Sequence, residues 1–151
     1  MAAPLMGVLL MLQRMVLLGG ALLVGVIVLS GVALAENIRG TFKQDELTGT
    51  PQLDRIYGLG AADTIVGRAG NDDCYGGSGN DEVSCRAGND RIDGGFGEDV
   101  LFGGPGNDTI LAADGFEDNV NCGTGTNDTA YVDNQDIVKQ NCENIWEAQA
   151  Q

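Results

Sequence analysis

Two consecutive nine-residue units decide how this chain folds: Gly94-Gly-Phe-Gly-Glu-Asp-Val-Leu-Phe102 and Gly103-Gly-Pro-Gly-Asn-Asp-Thr-Ile-Leu111. Each unit opens with a glycine-rich turn, reaches an aspartate and ends in a short apolar segment. A third unit of the same form lies upstream, Gly76-Gly-Ser-Gly-Asn-Asp-Glu-Val-Ser84. Because units of fixed length stack on their neighbours to bury a continuous core, this period indicates a solenoid.

The repeat extends well beyond these three units. Aspartates recur every nine residues, and an apolar residue follows each of them two positions later, where a short strand can turn it inward. After Asp108 the phase changes, since Asp118 lies ten residues after Asp108 and Asp128 lies ten residues after Asp118, and we expect the regular solenoid to end there. The aspartates are Asp45, Asp54, Asp63, Asp72, Asp81, Asp90, Asp99 and Asp108, and the apolar residues are Leu47, Ile56, Ile65, Cys74, Val83, Ile92, Leu101 and Ile110.

The units fit the nonapeptide Gly-Gly-x-Gly-x-Asp-x-apolar-x, and over about residues 40–130 the chain resembles the repeats-in-toxin (RTX), hemolysin-type calcium-binding family. The resemblance implies an all-β fold, a right-handed parallel β-roll in which two units make one coil. It also implies that calcium is held between stacked turns. Calcium takes roughly six to eight oxygen ligands, which carbonyl groups and carboxylates can supply without histidine or cysteine.

The candidate calcium ligands fall into two rows, because successive turns lie on opposite edges of the roll. Counting the gaps between neighbouring aspartates in the two rows predicts about four ions, with weaker sites at Asp54 and Asp118. The turns that begin at Gly40, Gly49 and Gly58 keep little beyond the aspartate and the apolar residue, which weakens them as ion sites. The predicted ligands are Asp63, Asp81 and Asp99 in one row, Asp72, Asp90 and Asp108 in the other, and the turn glycines Gly76, Gly77, Gly79, Gly94, Gly95, Gly97, Gly103, Gly104 and Gly106.

The first 35 residues have a different composition from the rest. Arg14 is their single ionised side chain, an apolar run follows it, and Ala33-Leu34-Ala35 has the small residues of an export cleavage site. We therefore expect a secreted protein, although the apolar run is long enough to be an uncleaved membrane anchor on the cell surface. Residues 1–35 are predicted to form either a helical signal peptide or a membrane anchor. The rest of the chain is predicted to divide into degenerate first coils at 36–57, a calcium-binding β-roll at 58–130, and a C-terminal cap and tail at 131–151.

The charge of the remaining chain is strongly negative. Removing residues 1–35 removes one of the 8 basic side chains and none of the 22 acidic ones, which leaves 7 and 22 and a formal charge of −15. Such a chain repels nucleic acid, and it contacts membrane only if the N-terminal segment is retained. The same charge favours a disordered state unless cations neutralise it.

The four cysteines predict two disulfides, because an even number in an exported protein is typical of a disulfide framework. In a roll, Cys74 and Cys85 come together at one edge, and Cys122 can pair with Cys142 to hold the C-terminal cap. A Cys85–Cys122 bond would span two coils, which exceeds the reach of a disulfide. A buried free thiol at Cys74 is the alternative.

Several classes of function are excluded or weakened. The chain has no histidine, which excludes imidazole zinc ligands and Ser-His-Asp catalysis, and it has no EF-hand loop. A Gly/Asn/Asp-rich linker would not carry the apolar period. A small acidic glycosidase is the remaining enzyme alternative, since that reaction needs only two carboxylates.

Trp146 is the only Trp and no second aromatic cluster is expected near it, while the outward residues Thr64, Glu82, Val100 and Phe102 are too mixed for an ice-binding or carbohydrate-binding ladder. We therefore expect a structural or adhesive protein that is not an enzyme.

Overall fold

The structure, a computed structural model, describes residues 34–148 and is all-β over that range. The expected signal peptide lies almost entirely outside the described residues, as do residues 149–151. The strands are β1 (Asn37–Arg39), β2 (Glu46–Thr48), β3 (Arg55–Tyr57), β4 (Thr64–Ala69), β5 (Asp73–Ser78), β6 (Glu82–Ala87), β7 (Arg91–Phe96), β8 (Val100–Pro105), β9 (Thr109–Leu111), β10 (Asn119–Thr124), β11 (Thr129–Val132), β12 (Ile137–Val138) and β13 (Asn144–Glu147).

Odd-numbered and even-numbered strands form two separate sheets, as expected for a solenoid in which two repeat units make one coil. One sheet has seven strands in the order β1-β3-β5-β7-β9-β11-β13, and the other has six in the order β12-β10-β8-β6-β4-β2. All the strand pairs are parallel, and from β1 to β9 residues 18 apart face each other, as Ile65 faces Val83. The predicted all-β solenoid of stacked parallel strands is confirmed.

The core is a double ladder of the apolar residues that the repeat predicts. In the seven-stranded sheet Ile56, Cys74, Ile92 and Ile110 stack in register, and all four are completely buried. The second ladder comes from the other sheet. The interior of the described roll is a narrow column of small and branched apolar side chains, and it contains no aromatic residue. The second ladder contains Leu47, Ile65, Val83, Leu101 and Val120.

The two predicted disulfides are present. Cys74 and Cys85 lie on β5 and β6 with Cα atoms 6.7 Å apart, so this bond joins the two sheets across the core. Cys122 on β10 bonds Cys142, at a Cα separation of 5.2 Å. The alternative of a free thiol at Cys74 is therefore wrong.

The C-terminal segment continues the coil. β12 pairs with β10 and β13 pairs with β11, so residues 137–147 add a last strand to each sheet. Ile145 of β13 occupies the inward register position opposite Ala130 but is 46% exposed, because within residues 34–148 no further strand covers it. Within the described range no helix is long and apolar enough to cross a membrane.

The outer face of the seven-stranded sheet carries aromatic residues that the sequence interpretation missed. The rings of Tyr57 and Tyr75 stack in parallel with centroids 4.8 Å apart. Further along the same outward row, Tyr131 lies opposite Trp146, and these side chains are 44% and 62% exposed. No second aromatic cluster was expected near Trp146, and strand register places a single aromatic partner opposite it that is 15 residues away in sequence.

Candidate metal centre

The predicted aspartates lie at the two edges of the roll and point into its turns. Asp63, Asp81 and Asp99 stack on one edge, and Asp72, Asp90 and Asp108 stack on the other. Each of the six is at most 3% exposed. Burial of a carboxylate is unfavourable unless its oxygens have partners, so the partners of each oxygen decide what the turn can bind.

One oxygen of each aspartate is fixed by the neighbouring coil. The backbone N–H of Asp63 donates to Oδ1 of Asp81 at 2.7 Å, and the N–H of Asp81 donates to Oδ1 of Asp99 at 2.8 Å. The other edge repeats the arrangement, with Asp72 donating to Asp90 and Asp90 donating to Asp108. These bonds hold successive carboxylates in register along the edge of the roll.

The second oxygen of each aspartate is buried without a hydrogen-bond partner. A polar atom in this state costs free energy until a donor or a cation reaches it. A column of such atoms along each edge therefore fits a row of bound cations. The atoms are Oδ2 of Asp63, Asp72, Asp81, Asp90, Asp99, Asp108, Asp118 and Asp128.

Backbone oxygens approach the same places. A Cβ atom added to Gly76 would lie 2.5 Å from Oδ2 of Asp81 and against the carbonyl oxygen of Gly94 in the next coil. A Cβ atom added to Gly67 would lie 2.6 Å from Oδ2 of Asp72 and 2.9 Å from the carbonyl oxygen of Cys85. In the turns that begin with glycine, a side chain at the first position would fill the space where a carboxylate and a carbonyl of adjacent coils converge. A hard cation with oxygen ligands, such as calcium, fits that donor set.

The six turns between residues 58 and 108 share one backbone conformation. In all six of these turns the second and fourth residues have positive φ, which glycine adopts without cost. Four of the twelve positions hold other residues, Leu59, Ala61, Arg68 and Arg86, for which this conformation is unfavourable. Retained strain of this kind is typical of functional sites. The turn at Gly58, which looked weak in sequence, has the same conformation as the glycine-rich turns.

Asparagine side chains also hydrogen-bond adjacent coils, in the direction opposite to that of the aspartate bonds, and the sequence interpretation missed this role. Oδ1 of Asn71 accepts from the N–H of Asn89 at 2.9 Å, and Oδ1 of Asn89 accepts from the N–H of Asn107 at 2.8 Å. The Asn bonds run to the next coil and the Asp bonds run to the preceding coil. The recurring Asn-Asp pair in the sequence could have predicted this role, because the two side chains hydrogen-bond their turn to the coils on either side.

Burial shifts the acidity of these carboxyl groups. Desolvation raises the pKa of Asp99 to about 7 from its ordinary value of 3.8, the N–H of Asp81 opposes the shift, and the Asp81 carboxylate adds to it. Burial likewise raises the pKa of Asp108 to about 7 and the pKa values of Asp72 and Asp81 to about 6. These carboxyl groups therefore keep their protons up to a higher pH than an exposed aspartate does, and a cation that binds there competes with the protons.

Among residues 34–148 no three Cys, Asp or Glu side chains cluster closely enough to hold an ion. An unpaired aspartate Oδ2 atom instead lies close to a backbone carbonyl oxygen of the next coil in the gaps that begin at Asp63, Asp72, Asp81 and Asp108. Asp118 and Asp128 also have unpaired Oδ2 atoms, although their turns contain inserted residues.

Comparison with known proteins identifies the repeat. Residues 48–83 and 86–116 match the family model of the RTX calcium-binding nonapeptide repeat, in 4 copies. No curated protein and no solved structure matches the chain. The matched segment contains all six predicted aspartate ligands, whereas Asp118 and Asp128 lie beyond it.

Proposed function

We propose that this protein is an extracellular structural or adhesive module whose fold is held together by calcium between stacked turns, because residues 48–83 and 86–116 match the RTX calcium-binding nonapeptide repeat. The observation that carries the proposal is the column of buried, unpaired Oδ2 atoms along each edge. When bound, calcium supplies positive charge that neutralises the carboxylates. The aspartates, the turn carbonyls and the glycines that leave space for them are the residues that would hold it.

Two features support an extracellular location. The disulfides Cys74–Cys85 and Cys122–Cys142 are of a kind that forms and persists in oxidising compartments. Calcium sites with dissociation constants of about 0.1–1 mM are typical of extracellular modules, where the free ion is abundant. Together with the export features of residues 1–35, these observations favour a protein that completes its fold after leaving the cell.

We propose about four ions, one in each gap between regular nine-residue turns of the same edge. The gaps lie between Asp63 and Asp81, Asp81 and Asp99, Asp72 and Asp90, and Asp90 and Asp108. The test is isothermal calorimetry of the purified full chain after chelator treatment, with calcium as titrant. We expect a stoichiometry of about four, and a value of one or zero would be incompatible with ions stacked between turns.

Replacing one central aspartate tests whether each ion is shared by two turns. Asp81→Asn removes a charge from the middle of its row, so we expect the loss of about two ions by calorimetry, because the gaps above and below both depend on that turn. Asp73→Asn is the matched control, since Asp73 lies on the outer face of β5 and pairs with Arg55 at 3.1 Å. The control should keep the full stoichiometry. Equal losses in the two variants would show that total charge and not turn position decides binding.

A further inference from the structure

The first two turns of the described roll differ from all the later ones. They read Gly40-Thr-Phe-Lys-Gln-Asp45 and Gly49-Thr-Pro-Gln-Leu-Asp54, with threonine in the second position. The second of them lies within the segment that matches the RTX repeat. By sequence family alone the Asp54 turn therefore belongs to the same class as the turns that follow it.

The threonine donates hydrogen bonds to the aspartate carboxylate of its own turn. The N–H of Thr50 donates to Oδ2 of Asp54 at 2.5 Å, and its hydroxyl donates to the same oxygen at 2.9 Å. Thr41 makes the same two bonds to Oδ2 of Asp45, at 2.6 and 2.9 Å. In the later turns the corresponding Oδ2 atom has no partner. The threonine donors thus occupy the oxygen that is left free for a cation elsewhere.

The backbone of these two turns differs in the same way. In the six turns between Gly58 and Asp108 the second and fourth residues have positive φ, as at Gly77 and Gly79. Thr41 and Lys43 do not have positive φ, and neither do Thr50 and Gln52. In this alternative conformation the N–H of the second residue points at the carboxylate, so the two sets of turns are distinct structural states of one motif.

We infer that threonine in the second turn position closes a turn to calcium, so that Thr41 and Thr50 set the N-terminal boundary of the ion column. The gaps from Asp45 to Asp63 and from Asp54 to Asp72 then hold no ion, although Asp54 lies within the matched repeats. An ion at Asp54 would have to displace two donors from a buried oxygen, which costs more than filling an unpaired one. This inference rests on the proposed calcium binding.

The chain contains its own template for opening the site. The turn Gly103-Gly-Pro-Gly-Asn-Asp108 has proline in the third position, as does the turn that ends at Asp54. The double substitution Thr50→Gly and Gln52→Gly therefore reproduces the template in its first four positions. We expect the full-length variant to bind about one calcium ion more than the wild type in calorimetry, and Asp54→Asn in that background to abolish the gain. Thr50→Ser, which keeps both donors, is the matched control and should leave the stoichiometry unchanged.

Asp54→Asn in the wild-type chain provides a second, independent test. Because Asp54 holds no ion in our assignment, this variant should keep the wild-type stoichiometry, and the loss of an ion would overturn the inference. An absence of gain in the double variant, with its β-sheet circular dichroism spectrum intact, would overturn it as well. If the double variant lacks that spectrum, the Asp54→Asn result decides. Absence of calcium binding by the wild type would instead refute the proposed function, so the two failures are distinguishable.

Discussion

Removal of calcium at neutral pH is expected to abolish the β-sheet spectrum of the protein and leave a disordered chain. The whole chain carries a net charge of −14, and eight aspartates bury an Oδ2 atom without a partner. An ion that binds only the folded state, at a hundred times its dissociation constant, stabilises that state by about 2.7 kcal/mol. About four ions would contribute roughly 11 kcal/mol, which is comparable with the entire stability of a typical domain, about 5–15 kcal/mol.

The measurement is far-ultraviolet circular dichroism of the chelator-treated full chain during titration with calcium. Magnesium is the first control, since it is smaller and demands octahedral geometry that a stack of carbonyls does not offer. Sodium chloride at matched ionic strength is the second, because it screens charge without occupying a site. A β spectrum that survives chelation would contradict this prediction and indicate that the disulfides and the apolar ladders suffice for folding.

The nine-residue period was sufficient to predict the architecture because every unit contains the same sequence features at the same positions. An inward apolar residue, a turn and an aspartate recur through eight units, so a single choice of register places all of them. That register also predicted the bonds Cys74–Cys85 and Cys122–Cys142, because coil geometry limits which cysteines can meet. Repetition allowed tertiary contacts to be predicted from local pattern.

The state of an individual turn could not be predicted in the same way. Leu59 and Ala61 replace glycines, yet their turn adopts the positive-φ conformation, whereas the turn with Thr50 does not. Backbone hydrogen bonds join Leu59 to Gly76 and Ser78 of the next coil in the former state, and the donors of one threonine stabilise the latter. The aromatic row was missed for a different reason. Tyr57 and Tyr75 are 18 residues apart, and their contact exists only after two units have closed into one coil.

Acid is expected to restore the fold of the calcium-free protein. Burial raises the pKa of Asp99, Asp108 and Asp118 to about 7 in the folded state, against an ordinary value of 3.8. A folded-state pKa above the unfolded value means that the folded state binds the proton more tightly. This contribution to stability is complete below pH 3.8 and is lost as the pH rises through about 7. Protons then neutralise the stacked carboxylates where calcium would otherwise do so.

Circular dichroism of the chelated protein should therefore show β structure near pH 5 that is lost as the pH approaches 7.5, the range in which these raised pKa values place the loss of protons. The same scan with saturating calcium should show no such loss, because the ions neutralise the carboxylates at every pH in that range. Asp99→Asn removes one titrating group and should make the calcium-free transition shallower, while Asp73→Asn on the outer face should not. The prediction fails if the β content of the chelated protein rises between pH 5 and pH 7, since that slope would mean that the folded state holds these protons less tightly than the unfolded chain does.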